Sequence, residues 1–390
     1  MNKKTAVTAG LALLLALLIP ADMFFNRMVN IFTSYGYITG GHIMTEEEMA
    51  AYKAEEVDDT LVDSTEEEIS DSDAQLRAYL EENSELLQCD EYGITNILLI
   101  GCDAYGYDKP VRSDSMILLS LSKERNTIKM VSFMRDMRVY IPGKYRYNDK
   151  INAAMAFDSS CQLLLDTIEY NFKIPIDKFV LINWTAFADV VDRLGGISVS
   201  VDPSLIDYFN LSIADPAEHL THGGVQTLNG NQALAYCRMR KADSDFMRTQ
   251  RQRQFLTAMI RKLMRSSVPE LIDAIEVTMP SVKTNMTFGE LVTLAGKAAG
   301  AMNSEFAQLR IPADGTCWDI TENQIMYLGF NAKKNINLLH EFIYADAEQA
   351  AELAAQAAAS ASDVSSADAA PASDVFSPDI SSQNAFTEAA

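Results

Sequence analysis

The chain has 390 residues and a formal net charge of −22 at pH 7. An acidic balance this strong disfavours nucleic acid as the partner, and no nucleic-acid-binding motif accompanies the basic residues. The sequence also lacks the Gly-x-x-x-x-Gly-Lys-Ser/Thr loop of nucleotide-binding proteins and the Gly-x-Ser-x-Gly elbow of serine hydrolases, which disfavours both classes.

The N-terminus combines two lysines with an apolar run. Lys3 and Lys4 precede residues 5–25, whose only charge is Asp22 and whose length approaches the ~20 residues that cross a bilayer. Positive charge before such a run keeps the N-terminus in the cytoplasm. We therefore predict a cytoplasmic segment at 1–4, a single-pass membrane anchor at 5–25 and an extracytoplasmic remainder. A cleaved signal peptide is the alternative.

Two acidic segments carry the net charge. Residues 46–91 hold 18 acidic and 2 basic residues, and residues 345–390 hold 8 acidic residues and no basic one. We predict a partly helical juxtamembrane stalk at 26–90 and a disordered Ala/Ser/Asp-rich tail at 347–390. The rest of the chain has a formal charge of +2, so any cluster of arginines there creates a local positive field.

Residues 91–346 show the alternation of an α/β domain. Continuous apolar runs predict strands at 96–100, 115–121, 128–133, 179–182, 197–201 and 307–311. Helical patterns lie between and after them, near 161–168, 184–194, 268–276, 287–300 and 335–344. Strands that are apolar on both sides indicate a central sheet with helices on both faces, and ligands of such folds gather at strand ends.

An arginine-rich segment follows the middle of this domain. Alternation in residues 234–241 predicts a strand that carries Tyr236, Arg238 and Arg240 on one face. The next helix has an apolar stripe that runs back into Gln252 and Arg248. An inward guanidinium is costly unless it meets an anion. We therefore predict an anion site, and a solvated basic helix end is the alternative. That surface role is the prediction for Lys241, Arg253 and Arg261.

Two carboxylates stand at the ends of the first two strands. Asp103 directly follows the first strand, and Asp114 precedes the second. Two carboxylates with water or phosphate oxygens suit Mg²⁺, although aspartate at strand ends is also common in turns. Arg112 and Arg135 lie at strand ends as well, so the arginines could hold a diphosphate beside the metal. A buried ion-pair network is the other reading.

Cysteine and histidine give no metal motif. The five cysteines form no Cys-x-x-Cys pair, and His219-x-x-His222 has no matching third ligand, which disfavours zinc. Cys102 and Cys237 fall within apolar patterns and are predicted to be core residues.

Several motifs together resemble the LytR-CpsA-Psr family over about residues 94–345. They are Asn96-Ile-Leu-Leu-Ile-Gly-Cys-Asp103, Arg112-Ser-Asp114, Ser132-Phe-Met-Arg135-Asp136, Asp149-Lys-Ile-Asn-Ala-Ala154, Leu228-Asn-Gly-Asn-Gln-Ala-Leu-Ala-Tyr236, Arg238-Met-Arg240-Lys241 and Asp245-Phe-Met-Arg248-Thr-Gln-Arg251-Gln252. Two positions depart from the family pattern, with Cys102 where serine is usual and Met134 where proline is usual.

The resemblance implies a mixed sheet in an α-β-α domain and an extracytoplasmic phosphotransferase. Such an enzyme moves a glycopolymer, for example teichoic acid or capsule, from a polyprenyl-pyrophosphate lipid to a peptidoglycan hydroxyl. It implies Mg²⁺ at Asp103 and Asp114, and catalytic roles for these two residues, Arg135 and Arg240. The pyrophosphate ligands implied are Arg112, Arg135, Arg238, Arg240, Arg248 and Gln252. Alternatives are a Mg²⁺-dependent pyrophosphatase on the same lipid and a non-enzymatic membrane-bound regulator.

Overall fold

The computed structural model describes residues 36–37, 42–54, 56–58, 60–82, 93–102, 111–122, 127–176, 178–239, 245–266, 282–287, 290, 306–346, 349, 352 and 356. The predicted anchor at 5–25, most of the tail, Asp103, Arg240 and Lys241 lie outside these residues, as do nearly all of the two helices predicted at 268–276 and 287–300. Among the described residues, no helix combines the length and apolarity that a membrane crossing requires.

A seven-stranded mixed sheet forms the centre of the fold, in the order β1-β10-β7-β2-β3-β4-β11. Its strands are β1 (Gly36–Tyr37), β2 (Ile94–Cys102), β3 (Ser113–Ser122), β4 (Thr127–Phe133), β7 (Lys178–Asn183), β10 (Val282–Thr284) and β11 (Phe306–Ile311). Three two-stranded sheets accompany it: β5 (Arg138–Ile141) with β6 (Tyr147–Lys150), β8 (Ile197–Val201) with β9 (Gly224–Leu228), and β12 (Cys317–Glu322) with β13 (Ile325–Phe330).

The apolar runs form strands as predicted because the sheet buries both of its faces. Every residue of β4 is buried, and β2 and β3 are buried or half-buried throughout. Leu98 and Val131 belong to the large core on one face, while Ile97 and Ile128 belong to a smaller cluster on the other. Cys102 and Cys237 are buried, as predicted. The mixed α/β architecture is therefore confirmed.

The helices are α1 (Glu46–Ala54), α2 (Glu66–Glu82), α3 (Ala153–Phe157), α4 (Gln162–Phe172), α5 (Trp184–Arg193), α6 (Ile206–Asn210), α7 (Gly230–Arg238), α8 (Asp245–Arg265) and α9 (Ala332–Tyr344). The first of these, α1 and α2, belong to the predicted stalk at 26–90. Met44, Leu76, Tyr79 and Leu80 are nevertheless buried in the main core. This part of the acidic segment packs on the domain, whose extent therefore differs from the predicted 91–346.

The strand predicted at 234–241 is wrong, because residues 230–238 form α7. Asn229 accepts a hydrogen bond from the backbone N–H of Gln232, and the Gln232 side chain accepts one from the backbone N–H of Asn229. This capping box starts a helix, and its effect outweighs the short alternating pattern that follows. Successive helical residues are rotated by about 100°, so Tyr236 and Arg238 point to different sides. Tyr236 is buried and Arg238 is exposed.

Candidate active site

Asp114 and Arg135 meet at one edge of the central sheet. Asp114 is the second residue of β3, and Arg135 follows the end of β4 by two residues. These strands are antiparallel, with Met116 opposite Phe133, so the start of one lies beside the end of the other. Arg135 Nη1 donates to Asp114 Oδ1 at 2.8 Å, and their side chains are 21% and 11% exposed. The structure thus brings together two of the predicted site residues.

A chain of alternating charges extends from this pair. Arg135 Nε lies 3.2 Å from Asp136 Oδ2, and Lys150 Nζ lies 3.3 Å from Asp136 Oδ1. The same ammonium lies 3.6 Å from Glu56 Oε1, which also pairs with Arg112. We call Glu56, Arg112, Asp114, Arg135, Asp136 and Lys150 the edge network. It connects the predicted arginines 112 and 135 through carboxylates and one lysine.

Two residues of the predicted stalk fix Arg112. Glu56 Oε1 accepts from Arg112 Nη1, and the Glu56 side chain is only 4% exposed. The hydroxyl of Tyr52 accepts from Arg112 Nε, and the guanidinium carbon lies 4.3 Å from the centre of the Tyr52 ring. Burial raises the pKa of Tyr52, so its hydroxyl stays neutral beside this cation. Sequence reasoning missed both residues, because nothing distinguishes Glu56 from the other acidic residues of that segment.

A second tie holds the N-terminal segment close to the edge network. Lys53 Nζ lies 3.0 Å from Oδ2 of Asp149, whose side chain is 2% exposed. The same ammonium lies 4.1 Å from the centre of the Tyr147 ring. Burial, followed by the nearby Asp149 carboxylate, raises the pKa of Tyr147. Asp149 thus binds Lys53, whereas Lys150 binds Asp136 and Glu56.

Arg138 anchors α2 to the domain. It is 5% exposed, with Nε 2.9 Å from Asp73 Oδ1 and Nη1 2.7 Å from Glu322 Oε2. Burial lowers the pKa of Arg138, but the hydrogen bonds and charges of Asp73 and Glu322 outweigh burial and raise that pKa above its ordinary value. Arg138 also lines a cavity of about 640 Å³ between the N-terminal helices and the β5–β6 and β12–β13 pairs.

The predicted anion ligands of α7 and α8 have unequal surroundings. Arg248 is buried, at 2% exposure, as the apolar stripe predicted. Gln252 is half-buried, and its Nε2 donates to the carbonyl of Cys237 at 3.3 Å. Arg238 is exposed, with its guanidinium carbon 4.6 Å from the centre of a Trp184 ring. Arg238 thus lies on the Trp184 ring.

Two further arginines of α8 are buried. Arg251 is 4% exposed and donates to the carbonyls of Tyr236 at 3.2 Å and Met239 at 2.5 Å, so it ties α8 to the end of α7. Arg253 is 8% exposed, so its predicted place at the surface is wrong. Burial, followed by repulsion from Arg310, lowers the pKa of Arg253 to about 10. Arg261 is exposed, as predicted.

Carboxylate oxygens are ligands that Mg²⁺ prefers, and the two predicted metal ligands, Asp103 and Asp114, belong to this sheet edge. Asp114 supplies one carboxylate there. β2 ends at Cys102, whose partner in the ladder is Ser113, so the described backbone stops one residue before Asp103 at the same edge. Within the described ranges, which omit Asp103, no group of three histidine, cysteine, aspartate or glutamate side chains converges on a common point.

Comparison with known proteins gives one consistent result. The model of the LytR_cpsA_psr family matches residues 52–342. The chain is 37% identical over 224 residues to a polyisoprenyl-teichoic acid–peptidoglycan teichoic acid transferase TagU of Bacillus mycoides (strain KBAB4), covering 56% of this chain and 69% of that protein. It is 39% identical over 210 residues to TagU of Bacillus subtilis (strain 168), covering 53% of this chain and 64% of that protein.

Solved structures also superimpose on this chain. TagT bound to LIIa-WTA superimposes with a TM-score of 0.55 at 28% identity, covering 68% of this chain and 95% of that chain. TagV of B. subtilis superimposes with a TM-score of 0.53 at 30% identity, covering 64% of this chain and 97% of that chain.

Proposed function

Because the chain belongs to the LytR_cpsA_psr family, we propose that it is a phosphotransferase that attaches a cell-wall polymer to peptidoglycan. The donor is a glycopolymer on a polyprenyl-pyrophosphate lipid, and the acceptor is a peptidoglycan hydroxyl. The names of its relatives make teichoic acid the polymer to test first.

The contact between Asp114 and Arg135 carries this proposal. A guanidinium held at a sheet edge by a carboxylate keeps a fixed orientation, and its remaining N–H groups can meet phosphate oxygens. Phosphoryl transfer needs positioned positive charge more than it needs covalent chemistry from the protein. Arg112, held by Glu56 and Tyr52, is a second positioned cation in the same network.

The reaction breaks one bond and forms another at phosphorus. The acceptor hydroxyl oxygen attacks the phosphorus that carries the polymer's first sugar, and the bond from that phosphorus to the bridging oxygen breaks. Polyprenyl phosphate leaves with the bridging oxygen and its charge. Arg135 stabilises the charge that develops on the phosphate oxygens, and Asp103 and Asp114 are the candidate acceptors of the hydroxyl proton.

Asp103 and Asp114 are also the residues that would hold Mg²⁺. When bound, the ion supplies positive charge that neutralises the phosphate oxygens of the donor. Arg135 then has two tasks, which are to orient the Asp114 carboxylate and to bind the phosphate. Loss of turnover in EDTA and its recovery with added Mg²⁺ support the metal; equal turnover in both contradicts it.

The predicted anchor at 5–25 would place this domain outside the membrane, at the leaflet that carries the lipid donor. An alkaline phosphatase fusion after residue 90 tests this topology. An active fusion supports export. An inactive fusion that is well expressed contradicts it.

The function itself is tested with the full chain, a polyprenyl-pyrophosphate-linked teichoic acid precursor and peptidoglycan. We expect covalent attachment of the polymer and release of polyprenyl phosphate, and Asp114→Asn should abolish both. Release of polyprenyl phosphate without attachment would mean that water is the acceptor, and the protein would then be a hydrolase. Turnover of Asp114→Asn at the wild-type rate would reject the site.

A further inference from the structure

The face of α8 that meets β11 contains a buried arginine that the proposed chemistry does not use. Gln308 Nε2 donates to Thr257 Oγ1 at 2.9 Å, and the Arg261 guanidinium carbon lies 5.2 Å from the centre of the Phe306 ring. Residues 253, 257 and 261 share one face of a helix, and residues 306, 308 and 310 share one face of a strand. This pairing places Arg253 opposite Arg310.

The charges at this point do not cancel. Arg310 forms an ion pair with Asp314, its Nε donates to the Pro312 carbonyl at 3.0 Å, and its guanidinium carbon lies 4.2 Å from the centre of the Phe246 ring. Asp314 is thus committed to Arg310. Arg253 Nε and Nη1 are buried and have no hydrogen-bond partner among the residues that the structure describes. Among the residues that the structure describes here, two guanidiniums and one carboxylate leave a surplus of one positive charge.

A buried hydroxyl lies on the same side of the sheet. Ser132 of β4 is the ladder partner of Arg310 in the parallel β4–β11 pair, so both side chains project from the same face. Ser132 is 2% exposed, and its Oγ has no hydrogen-bond partner within the described part of the chain. Two separate side chains therefore present unused buried donors on this face.

The positions of Ser132 and Arg253 in the chain relate them to the edge network. Ser132 is the penultimate residue of β4, three residues before Arg135. Thr249, one turn before Arg253 on α8, lies with its Oγ1 3.8 Å from Sδ of Met134, the residue that precedes Arg135. One turn of α8 thus separates the surroundings of Arg135 from Arg253.

We propose that Arg253, Arg310 and Ser132 form a second anion subsite, which binds a phosphate diester group of the donor substrate. The identity of the donor rests on the proposed function. A phosphate diester carries one negative charge, which equals the surplus charge of the cluster, and its two free oxygens can accept from a guanidinium and a hydroxyl together. The same charge and two free oxygens occur at a diester in the backbone of a phosphate-containing polymer and at each phosphorus of the lipid carrier's pyrophosphate, which bears one ester and one anhydride oxygen.

Two probes distinguish these sources in binding measurements on the full chain. Farnesyl pyrophosphate carries the lipid diphosphate without polymer, and a glycerol phosphate oligomer carries polymer diesters without lipid. We expect Arg253→Met to weaken binding of at least one probe about tenfold, because it removes a charged hydrogen-bond donor. Ser132→Ala should weaken the same probe by a smaller factor. Arg261→Met, on an exposed position two turns further along α8, is the matched control.

Thermal melting without a probe provides a second readout. Arg253→Met removes an uncompensated buried charge, so we expect it to melt at a higher temperature than wild type, whereas Arg261→Met should not. If Arg253→Met fails to fold, binding of the probes by Ser132→Ala tests the subsite instead. The subsite is rejected if wild type binds neither probe, or if folded Arg253→Met and Ser132→Ala both bind the two probes as wild type does.

This outcome is separable from failure of the proposed function. Absence of polymer transfer by the wild type, with probe binding that depends on Arg253, would count against the proposed function alone. Loss of probe binding in Arg135→Met, with unchanged binding in Arg253→Met, would count against the second subsite alone.

Discussion

Arg138 and Arg253 are both buried, at 5% and 8% exposure, yet their surroundings are opposite. Arg138 lies between the carboxylates of Asp73 and Glu322, and its pKa is raised. Arg253 faces Arg310, whose own carboxylate partner is Asp314, and the pKa of Arg253 is lowered to about 10. Within the described ranges, carboxylates neutralise the first cation and leave the second uncompensated.

The difference separates two uses of buried arginine. A cation that the fold neutralises joins elements that are distant in sequence, as Arg138 joins α2 to β12. A cation that the fold leaves uncompensated lowers stability until an anion arrives, which is the condition for a binding site. Arg135 stands between these cases, because Asp114 and Asp136 hold it while 21% of its side chain stays accessible.

The largest expected effect concerns this intermediate arginine. Arg135→Met should lower the rate of polymer transfer by about 100- to 1,000-fold, since it removes a positioned cation from the phosphate that reacts. Its cost in folding stability should be modest, because Asp136 keeps Lys150 as a partner while the Asp114 carboxylate, at 11% exposure, loses one hydrogen bond. Transfer rates and urea unfolding curves measure the two quantities. Arg193→Met, at an exposed position of α5, is the control, and equal losses of transfer in both variants would remove Arg135 from the site.

The next effect tests the neutralised arginine. Arg138→Met should lower the free energy of unfolding by roughly 2–3 kcal/mol, less than for a fully buried pair, because Asp73 and Glu322 are partly exposed and regain water. Arg253→Met should change the same quantity in the opposite direction. Urea unfolding measures both. Destabilisation by both variants to a similar extent would contradict the proposed difference between Arg138 and Arg253.

A smaller effect is expected where the N-terminal segment holds the edge network. We expect Glu56→Gln to raise KM for the lipid donor several-fold and to change kcat less, because Arg112 and Lys150 lose the carboxylate that orients them. It should cost about 1–3 kcal/mol of stability, since the glutamate is buried between two cations. Glu67→Gln, on the exposed first turn of α2, should change neither quantity.

A double variant tests whether Glu56 acts by positioning Arg112. If it acts through Arg112, the double variant Glu56→Gln/Arg112→Met should have nearly the KM of Arg112→Met alone. Additive increases in KM would show that the two residues act separately.

The smallest expected effect is a pH dependence of the difference in stability between wild type and Arg253→Met. The folded-state pKa of about 10 lies below the ordinary arginine value, so the folded protein releases this proton before the unfolded chain does. The contribution of Arg253 to the free energy of unfolding of the wild type therefore rises as the pH increases above 10. The stabilising effect of Arg253→Met should shrink by about 1 kcal/mol between pH 9 and pH 11. Urea unfolding of both proteins at the two pH values measures this, and the titration of tyrosines cancels in the difference. A constant difference would contradict the buried charge.

The strands of the central sheet were predictable because their apolar runs are long and are buried on both sides. α7 was not, because its alternating pattern fits a strand equally well over a few residues, and the capping box at Asn229 decides between them. The packing of α2 on the domain could not be predicted from the sequence either, for a different reason. Its buried positions are only Ser72, Leu76, Tyr79 and Leu80, in a segment dominated by acidic residues.

The candidate site was predictable only where it follows strand ends. Asp114 and Arg135 lie at neighbouring ends of adjacent strands, and that geometry follows from strand order. Glu56 and Tyr52 reach Arg112 across about 60 residues, and Arg253 meets Arg310 across a similar distance. No local pattern encodes such contacts. Whether a basic residue is solvated or buried depends on the element that packs over it, which the period of a single helix does not give.

If the predicted anchor spans residues 5–25, the pairing of β1 with β10 limits how far the enzyme can reach. Gly36 and Tyr37 are joined to the sheet through Lys283 and Thr284. With the predicted anchor ending at residue 25, only ten residues connect the bilayer to a fixed point of the domain, and their extended length is at most roughly 40 Å. The domain would then work as a short-tethered enzyme that samples a thin layer above the membrane. Lipid-borne donors would lie within that layer, whereas acceptor strands would have to come to it.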